Sequence, residues 1–250
     1  MTSTAEETPL VEVISDPADF ADAYRCCSEA FGRQVNDATW IGFNPTWDTP
    51  EGQAGGAERM AKRWQSTTTD DKGNPHTIFL KSTVPDPGRP GQRVIAGFAI
   101  WIQATAIPGG QHGDLISDNP DEMRKLLNLE SIYPGNETEQ RFILQLFNSL
   151  LKRRHEFVRE NPPSVMVLDL CATHPAFQRR GVASRLVQWG LDEMRRRGIK
   201  YATTEGSAMG RHVYKRLGFE PEGIDIMYEV DDEFADRELP PNLFMIHSST

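Results

Sequence analysis

Three cysteines in 250 residues are too few for a disulfide framework: Cys26 and Cys27 are adjacent, and Cys171 stands alone in an apolar run. They also lack metal-ligand spacing, so no metal is expected and all three read as reduced thiols in helix and strand packing. No stretch approaches the roughly 20 consecutive apolar residues that cross a bilayer. The opening Met1 to Glu7 has neither the basic nor the apolar region of a signal peptide. A cytoplasmic protein with no membrane partner is therefore expected. Positive charge is short as well: 27 Lys and Arg against 36 Asp and Glu leave a formal net charge of -9. That excludes the basic surface through which proteins displace counterions from DNA or RNA. Two phosphate signatures are missing too, the Gly-x-Gly-x-x-Gly of dinucleotide folds and the Gly-Lys-Ser/Thr of P-loops.

What is present is an ordinary globular composition, 38% hydrophobic and 25% charged. Residues 1–7 read as a flexible start. Leu10 to Ile14 reads as a short strand, and Asp16 with Pro17 opens a helix that runs to about Phe31 and stops at Gly32. Residues 35 to 56, with Trp40, Phe43 and Trp47, read as a long aromatic loop, either a substrate-side wall or a loop pinned to the core, and a helix is expected from 57 to 67. The β-branched runs 76–84 and 93–103 flank a Pro- and Gly-rich turn and predict an antiparallel pair. A polar connection follows over 104–136, with a short helix near 120–127, and Phe142, Ile143, Leu146, Leu150 and Phe157 mark one face of a long helix over 137–159. A strand at 165–172, a helix at 180–197, a strand at 200–205, a short helix ending at Leu217 and a last strand system through Val230 complete an α+β pattern with a β-α-β unit. Residues 233–250 read as a tail that either docks on the domain or contributes to a homodimer.

The junction at Gln178-Arg179-Arg180-Gly181-Val182-Ala183-Ser184 carries the most chemistry. A turn that opens a helix leaves backbone N–H groups unpaired, small residues at 181 and 183 let phosphate oxygens approach, and Arg179, Arg180 and Arg185 concentrate positive charge against an acidic whole. The spacing Gln178-x-x-Gly181-x-Ala183 resembles the acyl-CoA signature of the GCN5-related N-acetyltransferases. The likeness extends to Leu168 through Pro175 before it, and to Thr204-Glu205-Gly206-Ser207 with Gly210 and Tyr214-x-x-Leu217-Gly218-Phe219 after it, over about residues 164 to 220. Ala183, where Gly is common, is an accepted variant.

The resemblance implies a single domain over 8–232. Its expected core is a mixed, mostly antiparallel, twisted sheet flanked by helices and splayed between its fourth and fifth strands. Acetyl-CoA is the implied donor, with its pantetheine arm along Leu170, Cys171, Ala172 and Thr173 and its pyrophosphate on the backbone from Gln178 and Arg179 to Ser184. Ser207 is either a helix cap or a cofactor contact. Tyr214 is the implied acid for the departing thiolate, or else a buried helix tyrosine; a phenol with a pKa of about 10 needs no prior ionisation to donate. A free alkyl amine, with a pKa of about 10.4, must lose a proton before it attacks. Asp169 and Glu205 are the candidate bases, acting directly or through water. His174 titrates in a useful range but reads better as a turn residue, and Cys171, with no basic neighbour in sequence, reads as inert rather than as an acyl carrier. The implied acceptor is a small-molecule amine, of the kind used by small-molecule acetyltransferases of filamentous fungi. Protein or peptide acetylation and a non-catalytic CoA-binding module are the alternatives.

Overall fold

The computed structural model describes residues 8–249. Strand β1 (Leu10–Val13) leads to Asp16, whose carboxylate accepts the Ala18 backbone N–H at 2.9 Å and so caps a turn ahead of helix α1 (Asp19–Cys27). The helical path does not stop at Gly32. It continues as a π-helical turn over Ser28–Val35 and ends at Asn36, in the left-handed conformation at φ 54°. Gly32 is there for space: a Cβ on it would lie 2.6 Å from the Trp47 ring.

The expected aromatic loop is instead mostly helical. Asp37 caps α2 (Ala38–Phe43) through the Trp40 N–H, and Thr49 caps α3 (Pro50–Gln65), with Pro50 at the first helical position. The second helix thus starts seven residues earlier than the apolar pattern suggested, because Gly52, Gly55 and Gly56 obscure its first two turns. Gly56 is needed where α3 crosses Tyr24, since a Cβ would fall 2.0 Å from that ring.

The predicted hairpin forms as β2 (Thr77–Pro85) and β3 (Arg93–Thr105). A two-residue strand, β4 (Asp114–Leu115), α4 (Pro120–Leu126) and α5 (Leu129–Ile132) fill the connection before α6 (Glu137–Glu160). Then come β5 (Val165–Thr173), α7 (Val182–Arg196), β6 (Tyr201–Gly206), α8 (Arg211–Arg216), β7 (Glu220–Asp225) and β8 (Leu243–Ser248). The strands form one mixed sheet in the order β1-β2-β3-β5-β6-β8-β7, with β4 paired to β3. Only β3·β4 and β5·β6 are parallel. The α+β, mostly antiparallel architecture is the one expected.

The residues after 232 are more than an appendage. Leu243, Phe244 and Met245 are buried, and β8 inserts between β6 and β7, so the tail docks as a sheet strand. Its apolar run is short enough to pass for a loose end in sequence, because its partners lie about 40 residues upstream on β6 and about 20 upstream on β7.

Helix α7 packs on one face of the sheet, and α1, α3 and α6 pack on the other. Two glycines let α7 approach: a Cβ on Gly190 would lie 1.9 Å from Trp101, and one on Gly97 would lie 2.3 Å from Val182. Strand β5 faces both layers, and its alternation inverts midway. Met166 and Leu168 point to the α7 side, but Leu170 and Ala172 point to the α1 side. The cause is a bulge. Leu168 pairs with Trp101 and Leu170 with Ile100, which leaves Asp169 as the extra, unpaired residue.

Candidate active site

Beside that bulge, β5 and β6 part. They pair only at Met166↔Ala202 and Val167↔Thr203, and one further tie runs from Thr204 Oγ1 to the Leu168 carbonyl at 3.0 Å. Leu170 to Thr173 pair with β3 on one side and with no strand on the other. Setting aside the two-residue β4, this is the predicted splay between fourth and fifth strands.

Downstream of the open edge, His174 caps a 3-10 turn (Pro175–Phe177) by accepting the Ala176 N–H, and burial lowers its pKa. This is the turn role expected of it. Gln178 reaches back to the Thr173 carbonyl and across to Gln34. Arg179 at φ 64° and Gly181 at φ 83° bend the backbone so that α7 begins at Val182, with no protein acceptor for the N–H groups of Val182, Ala183 and Ser184 among the described residues. Arg179, Arg180 and Arg185 are exposed and tied to no carboxylate among the described residues, and Arg180 stacks over Phe177.

This geometry suits a pantetheine pyrophosphate. The strand edge is free, the Thr173 hydroxyl is buried without a partner, and a Cβ added at Gly181 would meet no protein atom within 4 Å. The cradle's empty side therefore faces outward at Gly181. Replacing Gly181 by Ala is expected to cost ~1 kcal/mol in left-handed strain and to crowd a phosphate oxygen. CoA affinity should fall about tenfold or more, equivalent to about 1.4 kcal/mol, with no change in amine binding. Equilibrium CoA titration checks this, and an unchanged Kd would count against the cradle.

The splay opens onto a cavity of about 330 Å³, within the usual range for small ligands. Cys171 and Tyr214 meet there. Gly206 and Gly210 make room for Tyr214, since a Cβ on Gly210 would stand 2.8 Å from its ring, which accounts for the glycines that flank Ser207. Burial, the Cys171 thiol and Glu205 all push the phenol well above its ordinary pKa, so it stays protonated. Burial likewise pushes Cys171 up to about 12, leaving an inert thiol. Ser207 Oγ accepts the Gly210 N–H at 3.2 Å in the turn ahead of α8, whose own N-cap is Gly210, so Ser207 braces the turn rather than capping the helix, and it also lines the cavity.

Asp169 and Glu205 both reach the cavity, joined by a residue that sequence reasoning missed. Arg154 of α6 is buried and grips both carboxylates: Nη1 donates to Asp169 at 2.9 Å, Nε donates to Glu205 at 3.0 Å, and Nη2 makes a second, closer contact with Glu205. Arg63 of α3 adds a 3.0 Å bond to the other oxygen of Asp169. Burial pushes the Asp169 carboxyl up, but Arg63 and Arg154 together outweigh it and hold it below the usual range. Much of the remaining wall is apolar, with Phe31, Trp40, Phe43 and Phe147 and with Leu127 from the connection between β4 and α6, and Asp37, Thr39, Asn44 and Asn242 add polar groups to it. Among the described residues, no group of three or more His, Cys, Asp or Glu could hold a metal, and no helix is long and apolar enough to cross a membrane.

Residues 148–219, from the middle of α6 through Phe219, match the sequence profile of the acetyltransferase (GNAT) family. That segment is similar to the family, and the sheet as a whole has the fold of solved acetyltransferases. Among solved structures, a polyamine N-acetyltransferase of Drosophila melanogaster that forms N-acetylagmatine superposes at a TM-score of 0.59, with 13% identity over 96% of this chain and 100% of that one. Arylalkylamine N-acetyltransferase 2 of Aedes aegypti gives 0.55, with 16% identity over 96% and 98%. A protein of Corynebacterium glutamicum described as histone acetyltransferase HPA2 and related acetyltransferase gives 0.53, with 18% identity over 97% and 98%. At these identities the likeness is one of fold. No curated protein matches the sequence.

Proposed function

We propose that the chain transfers an acetyl group from acetyl-CoA to the amine of a small molecule, by direct attack in a ternary complex. The observation that carries this reading is the cavity at the β5–β6 splay, where a free strand edge, a protonated tyrosine and a carboxylate pair converge. Two solved neighbours of the same fold are named for small amines, one for polyamines and one for arylalkylamines. Leu127 closes the wall from the side of the connection, which favours a small acceptor over an extended peptide.

The donor supplies a thioester-activated acetyl group, and the chain does the rest. Leu170 to Thr173 hold the arm as an added strand, and the backbone from Gln178 and Arg179 to Ser184 holds the pyrophosphate beside the helix dipole. Tyr214 keeps its proton on Oη, ready for the departing sulfur. Asp169, held ionised by two guanidiniums, sets the local field. Glu205, which pairs with Arg154, takes the amine proton through water. The inert Cys171 supports direct transfer over an acyl-cysteine route.

Free-thiol release from acetyl-CoA, measured against a panel of aryl amines, alkyl amines, polyamines and amino acids, tests the reading. Stimulation by at least one amine is expected. CoA binding with no amine-dependent release would favour the non-catalytic alternative.

A further inference from the structure

One carboxylate in the cavity has no cationic partner among the described residues. Asp37 lies on the cavity wall at the start of α2, where it accepts the Trp40 N–H at 2.8 Å and is also held by the Thr39 amide. No Lys or Arg is within ion-pair distance of it among the described residues, whereas Asp169 and Glu205 share Arg154 and Asp169 also pairs with Arg63. Burial raises its pKa, and the two amides only partly offset this. An ionised carboxylate in this position calls for a counter-cation that the protein does not provide.

The surroundings are built for such a cation. Beside Asp37, the Thr39 hydroxyl is buried with no hydrogen-bond partner and belongs to the same wall. Trp40 follows, with Phe31 at 6.2 Å between ring centroids, and Phe43 faces Phe147 at 5.0 Å. Aromatic faces attract ammonium groups and bury apolar carbon. A dication fits poorly, since its second charge would meet carboxylates already neutralised by the guanidiniums of Arg63 and Arg154.

We propose that Asp37 is the specificity-determining residue that receives the acceptor's ammonium, and that the acceptor is a primary amine on an aryl or alkyl body with no second cation. This assignment rests on the acetyltransferase reading and deepens it.

The test is calorimetric binding of 2-phenylethylamine, hexylamine, 1,4-diaminobutane and the uncharged 2-phenylethanol to the CoA-loaded protein. Asp37→Asn is the informative variant because Asn caps a helix about as well as Asp, so the change removes charge and leaves the cap. A charged hydrogen bond is worth about 1.5–3 kcal/mol, so D37N should weaken both monoamines by about tenfold or more and leave CoA affinity unchanged. On the wild type, the diamine and the alcohol should each bind about tenfold more weakly than phenylethylamine; that comparison stands even if the variant does not fold. Equal monoamine binding by D37N, or tighter binding of the diamine or the alcohol on the wild type, overturns the assignment of Asp37 while amine-dependent thiol release keeps the acetyltransferase reading. Neither binding nor thiol release with any amine on the wild type overturns both.

Discussion

Replacing Tyr214 by Phe is expected to lower turnover by about 10²-fold or more, the range for loss of a positioned general acid, while the CoA Kd stays within about twofold. The phenol sits in a space that Gly206 and Gly210 leave open, against Cys171, so Phe fills the same volume and the fold loses only the hydroxyl. A loss of 10² corresponds to about 2.7 kcal/mol of transition-state stabilisation. That is more than a neutral hydrogen bond contributes to stability, about 1 kcal/mol, so a catalytic effect is separable from a packing one. Steady-state kinetics with a parallel CoA titration measure both quantities. An unchanged kcat would remove Tyr214 from the chemistry and leave it as a core residue. Because burial and Cys171 hold the phenol protonated, its ionisation should add no alkaline limb to the wild-type profile at ordinary working pH.

The second large effect is structural. Arg154→Met should destabilise the protein by about 3–5 kcal/mol, because it strands the carboxylates of Asp169 and Glu205 in a buried site that has lost its shared cation. A urea midpoint shift at unchanged m reads this out. The pH dependence has a definite sign. Asp169 has a folded pKa below its unfolded value, so its stabilising contribution is full above the ordinary carboxylate pKa of about 3.9 and is lost as pH falls through the folded value. The gap between wild type and variant should therefore be widest near neutrality and narrow below about pH 4. A gap that stayed constant with pH would mean that Arg154 contributes by packing alone.

Arg154 also marks the limit of what the sequence makes legible. The helix around it reads correctly from Phe142, Ile143, Leu146, Leu150 and Phe157, but an arginine beside that stripe looks like a solvated residue. Its partners lie 15 and 51 positions away, on two different strands. The turn from Gln178 to Ser184 is legible because its requirements are local: a positive φ at Gly181, unpaired N–H groups and small side chains. Asp37 was open to a closer reading. Asp37 ahead of an aromatic run and Thr49-Pro50-Glu51 are both helix-start signals, but the glycines and prolines from Gly42 to Gly56 read as a loop. Asp169 is legible in sequence only as a candidate base. The bulge that turns it inward depends on pairing with Ile100 and Trp101, which no local pattern encodes.

The insertion of β8 between β6 and β7 sets an order of assembly. Among the described residues β7 pairs only with β8, so Glu220–Asp225 joins the sheet no earlier than Leu243–Ser248 docks on β6. Leu243 and Met245 share a core cluster with Tyr214. In a chain emerging from its N-terminus, the half of the sheet that would hold the cofactor arm is complete well before the wall behind the tyrosine exists. A nascent chain therefore has the open β5 edge and the Gln178–Ser184 turn early, and encloses Tyr214 last, once the closing strand is in place.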